Sequence, residues 1–337
     1  MNGKFEKLLE KIEELASSKA IPDKYPQIFR EFLNSYQEVI VEHGEDPENY
    51  IGIFDTFIEL VKEGFKTPFT FEPYHEKIRS PFDYYKFGID FLRPLVDLPN
   101  STVSGAKNID YMESLLKKNE NVILFANHQI EADPQAISIL LEKMHPKFGE
   151  ELIFVAGTRV TSDPLAIPFS MGRNLLCIHS KKYIDNPPEE QHEKQMHNKR
   201  TMERMVELLS EGGHAIYVAP SGGRDRANAE GVVEVAPFDS QSIEMFYLMA
   251  QKGKTPTHFF PLALSTYHLL PPPETTEVEL GETRVTQGGA IHLHFGEEVD
   301  MEDFQGAEKA IDKKDKRRIR AEYLWSCVNK EYEKFPK

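Results

Sequence analysis

Cysteine and tryptophan are scarce in this chain of 337 residues, which has two cysteines and one tryptophan. Cys177 and Cys327 are too few for a disulfide framework or a cysteine-rich metal site, so a reducing compartment is the simplest setting. At this length the chain could form one large domain or two or three ordinary ones.

Long hydrophobic runs are also missing. The longest, 122–126 and 259–264, are the length of buried strands and far short of the roughly 18–20 apolar residues that cross a membrane. The N-terminus, M-N-G-K-F-E-K-L-L-E, has the composition of neither a signal peptide nor a transit peptide. We therefore expect a soluble protein with no integral membrane segment, in a bacterial cytoplasm or a plastid stroma.

Positive charge is in deficit, with 40 Lys and Arg against 55 Asp and Glu and a net charge of −15. Nucleic-acid binding relies on surplus Lys and Arg, so this balance argues against a nucleic-acid partner. Any anion site must therefore be a local cluster of positive charge on an acidic protein.

The first 65 or so residues predict helices. Apolar residues recur at helical spacing in the stretches 5–15, 28–40 and 51–61, with Asp46-Pro47 as a helix start and Gly64 as a stop. Three short-linked amphipathic helices suggest a small bundle. We assign residues 1–72 to an N-terminal helical bundle domain with a structural or partner-binding role.

From residue 78 to 337 short apolar runs alternate with helical stretches, which predicts a second domain of the α/β class. The runs are N-V-I-L-F-A, E-L-I-F-V-A-G, N-L-L-C-I-H, H-A-I-Y-V-A-P and F-F-P-L-A-L. This alternation implies a large, mostly parallel sheet flanked by helices. The segments 277–282 and 290–296 alternate with period two and suggest an antiparallel extension, which makes the sheet mixed.

A histidine and an aspartate lie five positions apart in A-N-H-Q-I-E-A-D-P, directly after the first of these runs. Strand ends in such sheets collect ligands, and Asp133 could hold one ring nitrogen of His128 while the other acts as a base. Asp133-Pro134 is equally typical of a helix N-cap. A third interpretation makes His128, Glu131 and Asp133 metal ligands, although no second histidine has a fitting spacing.

Two other strand ends carry positive charge. A-P-S-G-G-R-D-R (219–226) places Arg224 and Arg226 on a glycine-containing loop that suits bidentate binding of a phosphate. H-S-K-K-Y (179–183) adds two lysines that could share the same pocket. The loop 219–226 is neither a Walker nor a G-x-S-x-G motif. The alternatives are a solvated turn for 219–226 and solvated charge for 179–183.

These patterns leave two other function classes open. One is a metal-dependent phosphoester hydrolase using His128, Glu131 and Asp133, which a chelator would inactivate. The other is a non-catalytic lipid- or acyl-carrier-binding protein, which would tolerate the loss of His128.

Longer strings match a known family in order and spacing. The chain closely resembles the soluble, plastid-type glycerol-3-phosphate acyltransferases that use acyl-acyl carrier protein. The match covers nearly the whole length, including the N-terminal helices. The matching strings are R-S-P-F-D-Y-Y, N-H-Q-I-E-A-D-P, F-V-A-G-T-R-V, D-P-L-A-I-P-F-S, G-R-N-L, S-K-K, A-P-S-G-G-R-D-R and A-P-F-D.

The resemblance implies an enzyme that moves a fatty acyl group from acyl-acyl carrier protein, or acyl-CoA, to the sn-1 hydroxyl of glycerol 3-phosphate. It implies that His128 and Asp133 are the catalytic pair and that Lys182, Arg224 and Arg226 bind the phosphate. Tyr183 stands where the family has histidine; its hydroxyl could bond a phosphate oxygen but brings no charge. No cofactor and no metal is implied, and we expect a monomer.

Acyl carrier protein is acidic, so an acidic enzyme needs a basic docking face. One candidate is the run K-K-D-K-R-R-I-R, and the other is a stripe of Lys194, Lys199, Arg200 and Arg204. A solvated charged face is the alternative for both. The basic residues of the run are Lys313, Lys314, Lys316, Arg317, Arg318 and Arg320.

Overall fold

Three amphipathic helices open the protein, whose computed structural model describes residues 3–180, 184–273 and 280–336. They are α1 (Lys4–Ser18), α2 (Tyr25–Glu42) and α3 (Ile51–Lys66). Their buried residues recur three or four positions apart, so each helix turns one side inward. Asp46 begins the turn before α3 by accepting the backbone N–H of Glu48 at 3.0 Å.

A mixed eight-stranded sheet forms the centre of the molecule, in the order β1-β5-β4-β6-β3-β9-β10-β2. Strands β5, β4, β6, β3 and β9 are parallel, whereas β10 runs antiparallel to β9 and β1 antiparallel to β5. The predicted mixed, mostly parallel sheet is thus confirmed. Its strands are β1 (Tyr74–His75), β2 (Thr102–Ser104), β3 (Asn121–Ala126), β4 (Ile153–Gly157), β5 (Asn174–Ile178), β6 (Ala215–Val218), β9 (Thr257–Ser265) and β10 (His292–Phe295), while β7 (Arg226–Ala227) and β8 (Val233–Glu234) form a separate pair.

Helices cover both faces of the sheet, which explains why the central strands β3 and β6 are buried at every position and mostly apolar. Leu124 and Tyr217 face α5, α6 and α7, whereas Ile123 and Phe125 face α10, α11 and α12. Within the described residues, no helix is both long and apolar enough to cross a bilayer. The helices are α4 (Tyr84–Leu92), α5 (Ala106–Lys117), α6 (Asp133–Leu141), α7 (Pro146–Glu151), α8 (Thr158–Ser162), α9 (Ile167–Ser170), α10 (Gln191–Glu211), α11 (Ser240–Gly253) and α12 (Lys313–Tyr332).

The N-terminal helices share a hydrophobic core with the rest of the chain. Phe29 and Phe57 belong to the same buried cluster as Phe91 of α4 and Ala136 of α6. The Tyr36 hydroxyl donates to the backbone carbonyl of Phe91 at 2.8 Å. The two regions on either side of residue 72 therefore pack directly on each other, and their division into two domains stays a prediction.

Some elements differ from the sequence expectations. Helix α3 continues past Gly64 to Lys66, because the buried side of the helix offsets the roughly 1 kcal/mol by which a helical glycine is disfavoured. Of the predicted strand 277–282 only 280–282 are described, and these are not in a strand. Strands β1 and β2 were not predicted, because two or three residues at a sheet edge are too few to show a period.

Candidate active site

His128 lies in the loop between β3 and α6, at the carboxyl edge of the parallel strands. Its Nδ1 is 2.7 Å from Oδ2 of Asp133, and about a quarter of the His128 side chain is exposed. Asp133 is buried and accepts hydrogen bonds throughout, so the shared proton belongs to Nδ1. The second ring nitrogen, Nε2, is then left with its lone pair.

Asp133 is fixed by the loop that precedes it. Its carboxylate accepts the backbone N–H groups of Gln129 at 2.9 Å and Ile130 at 3.3 Å, and the hydroxyl of Thr266 at 2.5 Å. Helix α6 begins at Asp133 itself, and the carboxylate turns back onto the loop rather than into the helix. This geometry favours the orienting interpretation of Asp133 over the N-cap alternative.

Two amide side chains on either side of His128 join the loop to neighbouring strands. Asn127 donates to the carbonyl of Leu264 at 2.9 Å and accepts its N–H at 2.9 Å. Gln129 accepts the N–H groups of Thr266 at 2.7 Å and Tyr267 at 3.0 Å. The backbone on both sides of His128 is therefore held by the end of β9.

Asp225 connects the loop 219–226, called here the arginine loop, to the backbone around His128. Its backbone N–H donates to the carbonyl of His128 at 2.6 Å, and its carboxylate accepts from Asn127 at 2.8 Å and Gln129 at 3.3 Å. Burial raises its pKa to about 6, although these bonds and the N–H of Ala236 favour the charged form. We did not identify Asp225 as a positioning residue from the sequence; the polar residues flanking His128 were the available signal.

Arg224 lies in a buried ionic cluster rather than facing open solvent. Its Nη2 is 2.9 Å from Oε2 and 3.1 Å from Oε1 of Glu282, and its Nη1 is 3.6 Å from Oε1 of Glu131. Arg284 joins the cluster with Nη2 at 2.7 Å from Glu131 and 3.4 Å from Asp163. Arg159 also pairs with Glu282. We call Arg159, Arg224, Arg284, Glu131, Asp163 and Glu282 the arginine cluster.

Glu131 connects this cluster to the histidine. Burial works to raise the pKa of its carboxyl, but the positive charges of Arg284, Arg224 and Arg159, with His128, lower it below the ordinary value. Glu131, His128 and Arg284 also line one cavity. The histidine and the arginines therefore lie within electrostatic reach of each other. Glu282 and Arg284 were missed in the sequence, since neither belongs to a recognised motif.

Arg226 follows on the same loop and donates to the backbone carbonyl of Pro273. Partial burial and the charge of Arg224 lower its pKa. Lys182 and Tyr183 lie outside the described residues, so their predicted contacts with a phosphate stay predictions. The two arginines of the loop are thus close to each other, each with a partner from another part of the chain.

An apolar cavity extends from His128 between the sheet and the helices. Its walls include Phe154 and Ala156 of β4, Phe169 of α9, and Phe32 and Phe57 of α2 and α3. The lining also includes Arg173, which is buried and donates to Ser138 at 2.6 Å. A cavity with these walls suits a hydrocarbon chain.

The candidate docking residues are mostly paired with acids. On α12, Lys316 lies 2.6 Å from Glu302, and Arg317 lies 2.9 Å from Glu244. Arg320 is buried and pairs with both of these glutamates, so it lies beneath the surface rather than on an exposed face. Lys313 and Lys314 are exposed, and Arg318 pairs with Asp315 and Glu322.

Three of the four residues of the second candidate, on α10, are paired in the same way. Lys194 lies 3.1 Å from Glu190, Lys199 3.8 Å from Glu203 and Arg204 3.1 Å from Glu207. Ion pairs of this kind reduce the net positive field of both surfaces. Which surface docks a carrier stays a prediction.

The three residues of the metal interpretation, His128, Glu131 and Asp133, do not converge on one point. Glu131 turns to Arg284 and Arg224, while Asp133 turns to His128. No group of three or more His, Cys, Asp or Glu side chains suited to a metal ion is found in residues 3–180, 184–273 and 280–336. The donors present therefore serve ion pairs.

Comparison with known proteins defines the class first. Residues 102–265, a range that contains His128, Asp133 and both loop arginines, match the acyltransferase family model, which places the chain in the acyltransferase class. Individual relatives narrow the acyltransferase class to one family. The chain is 36% identical to the chloroplastic glycerol-3-phosphate acyltransferase of Arabidopsis thaliana, over 97% of this chain and 71% of the relative. It belongs to the glycerol-3-phosphate acyltransferase family, as the resemblance predicted.

Two further relatives agree. A chloroplastic glycerol-3-phosphate acyltransferase of Cucurbita moschata is 38% identical over 90% of this chain. The chloroplastic enzyme of Spinacia oleracea is 36% identical over 97% of this chain. The chain spans 66% of the length of the Cucurbita protein and 70% of the Spinacia protein.

Proposed function

We propose that this enzyme transfers a fatty acyl group from acyl-acyl carrier protein, with acyl-CoA as an alternative donor, to the sn-1 hydroxyl of glycerol 3-phosphate. The product is lysophosphatidic acid. The observation that carries the proposal is the hydrogen bond between His128 and buried Asp133, beside both the arginine cluster and the apolar cavity. We propose that the chain acts as a monomer.

The base is Nε2 of His128. It removes the proton from the substrate hydroxyl while the hydroxyl oxygen forms a bond to the thioester carbonyl carbon. The carbon–sulfur bond then breaks, and the imidazolium returns the proton to the thiolate that leaves. Asp133 stabilises the charged ring in between, as a carboxylate does for other histidine bases. No acyl-enzyme intermediate is formed.

The arginines place the hydroxyl. Arg224 and Arg226, with Lys182, hold the phosphate, so that the sn-1 oxygen lies against His128 rather than diffusing to it. The backbone N–H of Asp225 donates to the carbonyl of His128 at 2.6 Å. This bond supports separate roles for the arginines and the histidine, because it keeps the arginine loop beside His128. Positioning of this kind can contribute about 7–11 kcal/mol to lowering a barrier.

The acyl chain occupies the apolar cavity, with its thioester end at His128. Residues from β4, α9, α2 and α3 line this cavity. The relatives' names favour a plastid as the compartment, and nothing in the comparisons favours the bacterial cytoplasm. The exposed lysines of α12, Lys313 and Lys314, are the part of the predicted docking face that supports a carrier-protein donor.

The proposal is tested with glycerol 3-phosphate and a panel of acyl donors that varies carrier and chain length. The wild-type protein should form lysophosphatidic acid, and His128→Ala should lower kcat by about a hundredfold or more, the usual contribution of a general base. Calorimetry should show that His128→Ala still binds glycerol 3-phosphate. Replacement of His43, an exposed histidine at the end of α2, is the matched control. Near-normal turnover by His128→Ala would refute the assignment.

A further inference from the structure

Glu282 is a fully buried carboxylate shared by three arginines. Arg224 contacts both of its oxygens, at 2.9 and 3.1 Å, and Arg159 pairs with Oε1. Arg284 lies 3.5 Å from Oε2 and also donates to the backbone carbonyl of Glu282 at 2.8 Å. A carboxylate in the centre of three guanidinium groups occupies the kind of position that a phosphate takes in an anion site.

The arginines around Glu282 differ in how many other carboxylates they contact. Arg284 is buried, and its remaining contacts are to Glu131 and Asp163. Burial works against its charge, but these carboxylates raise its pKa. Arg224 stands on the glycine-containing loop and, among the residues that the structure describes, its close partner is Glu282, with Glu131 at 3.6 Å. Arg224 can therefore change partners at less cost than Arg284.

We propose that Glu282 stands in for the substrate's phosphate as the counter-anion of Arg224 in the ligand-free enzyme, and that Arg284 keeps Glu282 paired when phosphate takes Arg224 over. This rests on the proposed binding of glycerol 3-phosphate by Arg224. It makes Glu282 and Arg284 positioning residues of the substrate site, and it makes phosphate binding an exchange of one anion for another.

Charge balance is the physical reason that the exchange works. The arginine cluster contains three arginines and three carboxylates, so it is neutral as it stands. Leaving one buried carboxylate without a cation is strongly unfavourable. Arg284 and Arg159 prevent this, because Glu282 still has two partners when Arg224 turns to the phosphate.

The test is the affinity of Glu282→Gln for glycerol 3-phosphate and for inorganic phosphate, measured by calorimetry. Glutamine keeps the shape but removes the competing charge from a buried cluster, so Kd for both ligands should fall by about fivefold or more. The change should appear in KM for glycerol 3-phosphate and not in KM for the acyl donor. Glu142→Gln, which removes a carboxylate from the exposed pair with Arg93, is the matched control and should leave Kd unchanged.

The outcomes separate this proposal from the proposed function. If wild-type protein neither binds nor acylates glycerol 3-phosphate, the proposed function fails. If wild-type protein does both but Glu282→Gln binds phosphate equally well or more weakly, only the exchange is overturned. Glu282 would then serve solely to orient the arginines.

A second measurement covers the case in which Glu282→Gln does not fold. A crystal structure of the wild-type protein with inorganic phosphate should show Arg224 on the phosphate and more than 4 Å, the ordinary limit of an ion pair, from Glu282. The pair between Arg284 and Glu282 should be intact. Phosphate bound while Arg224 still contacts both oxygens of Glu282 would contradict the exchange.

Discussion

At the scale of single residues, Asp225 shows how a side chain without a chemical role can define a site. It is buried between the loop that carries His128 and the loop that carries Arg224, and it accepts hydrogen bonds from Asn127, Gln129 and the N–H of Ala236. Despite these donors, burial raises its pKa to about 6. Keeping this carboxylate charged at neutral pH therefore lowers the free energy of unfolding, while its hydrogen bonds fix the arginine loop beside His128.

The pH dependence of stability should reveal this cost. The pKa of Asp225 is about 6 in the folded protein and about 4 in the unfolded chain, so between these values the folded state holds the proton more tightly. The free energy of unfolding should therefore fall as pH rises from 4 to 6, by at most about 1.4 kcal/mol per pH unit from this residue. Urea unfolding of wild type and Asp225→Asn across pH 4–7 isolates the effect, because every other group titrates in both proteins. A difference that stays constant across this range would contradict the prediction.

The sequence was informative about some of these residues and not about others. The proximity of His128 and Asp133 could be predicted, since both lie within one loop at a strand end. The partners of the arginines could not, because Arg159 and Glu282 are 123 positions apart and meet only through the fold. Buried ion pairs leave no periodic pattern, unlike the apolar runs that predicted the strands.

At the scale of elements, β4 links the sheet to the proposed acyl site. Ala156 is buried on this strand and lines the cavity, opposite Cys177 of β5 in the register. Its small side chain leaves room where a larger one would fill the space. The strand itself was predicted from its apolar run, but which of its residues face a cavity depends on helices packed from elsewhere.

Ala156→Leu should therefore shorten the accepted acyl chain. Added methyl groups in the cavity should lower kcat/KM for long-chain donors by about tenfold or more relative to short-chain donors. Overpacking should also lower stability by about 1–3 kcal/mol. The ratio of long- to short-chain activity is the measurement, and the short-chain donor is the internal control. An unchanged ratio in a folded variant would show that the acyl chain lies elsewhere.

At the scale of the whole molecule, the N-terminal helices line the same cavity as His128. Phe32 and Phe57 line the cavity and belong to a core that includes Phe91 and Ile130. The sequence predicted the helices themselves, because apolar spacing within each helix is local. It did not predict their contact with the active-site region, since that contact joins residues far apart in the chain.

A chain that begins at residue 67 should consequently lose its cooperative folding and its activity, as well as the three helices. Removal of α1, α2 and α3 would expose the buried rings of Phe91 and its neighbours, so we expect a loss of cooperative thermal unfolding, binding of an apolar dye and no acyl transfer. Circular dichroism and a dye-binding assay are the measurements. A truncated chain that melts cooperatively at the wild-type temperature and keeps its activity would show that the helices are an independent domain.

The shared wall of the cavity has a consequence for inhibition. A molecule with a long alkyl tail and a phosphonate head would span the contact between the N-terminal helices and the sheet, with its head at the arginines and its tail against Phe32 and Phe57. Such a molecule would contact both regions at once and so stabilise their packing on each other. Its potency could be followed without any enzyme assay, by the rise in melting temperature that it causes.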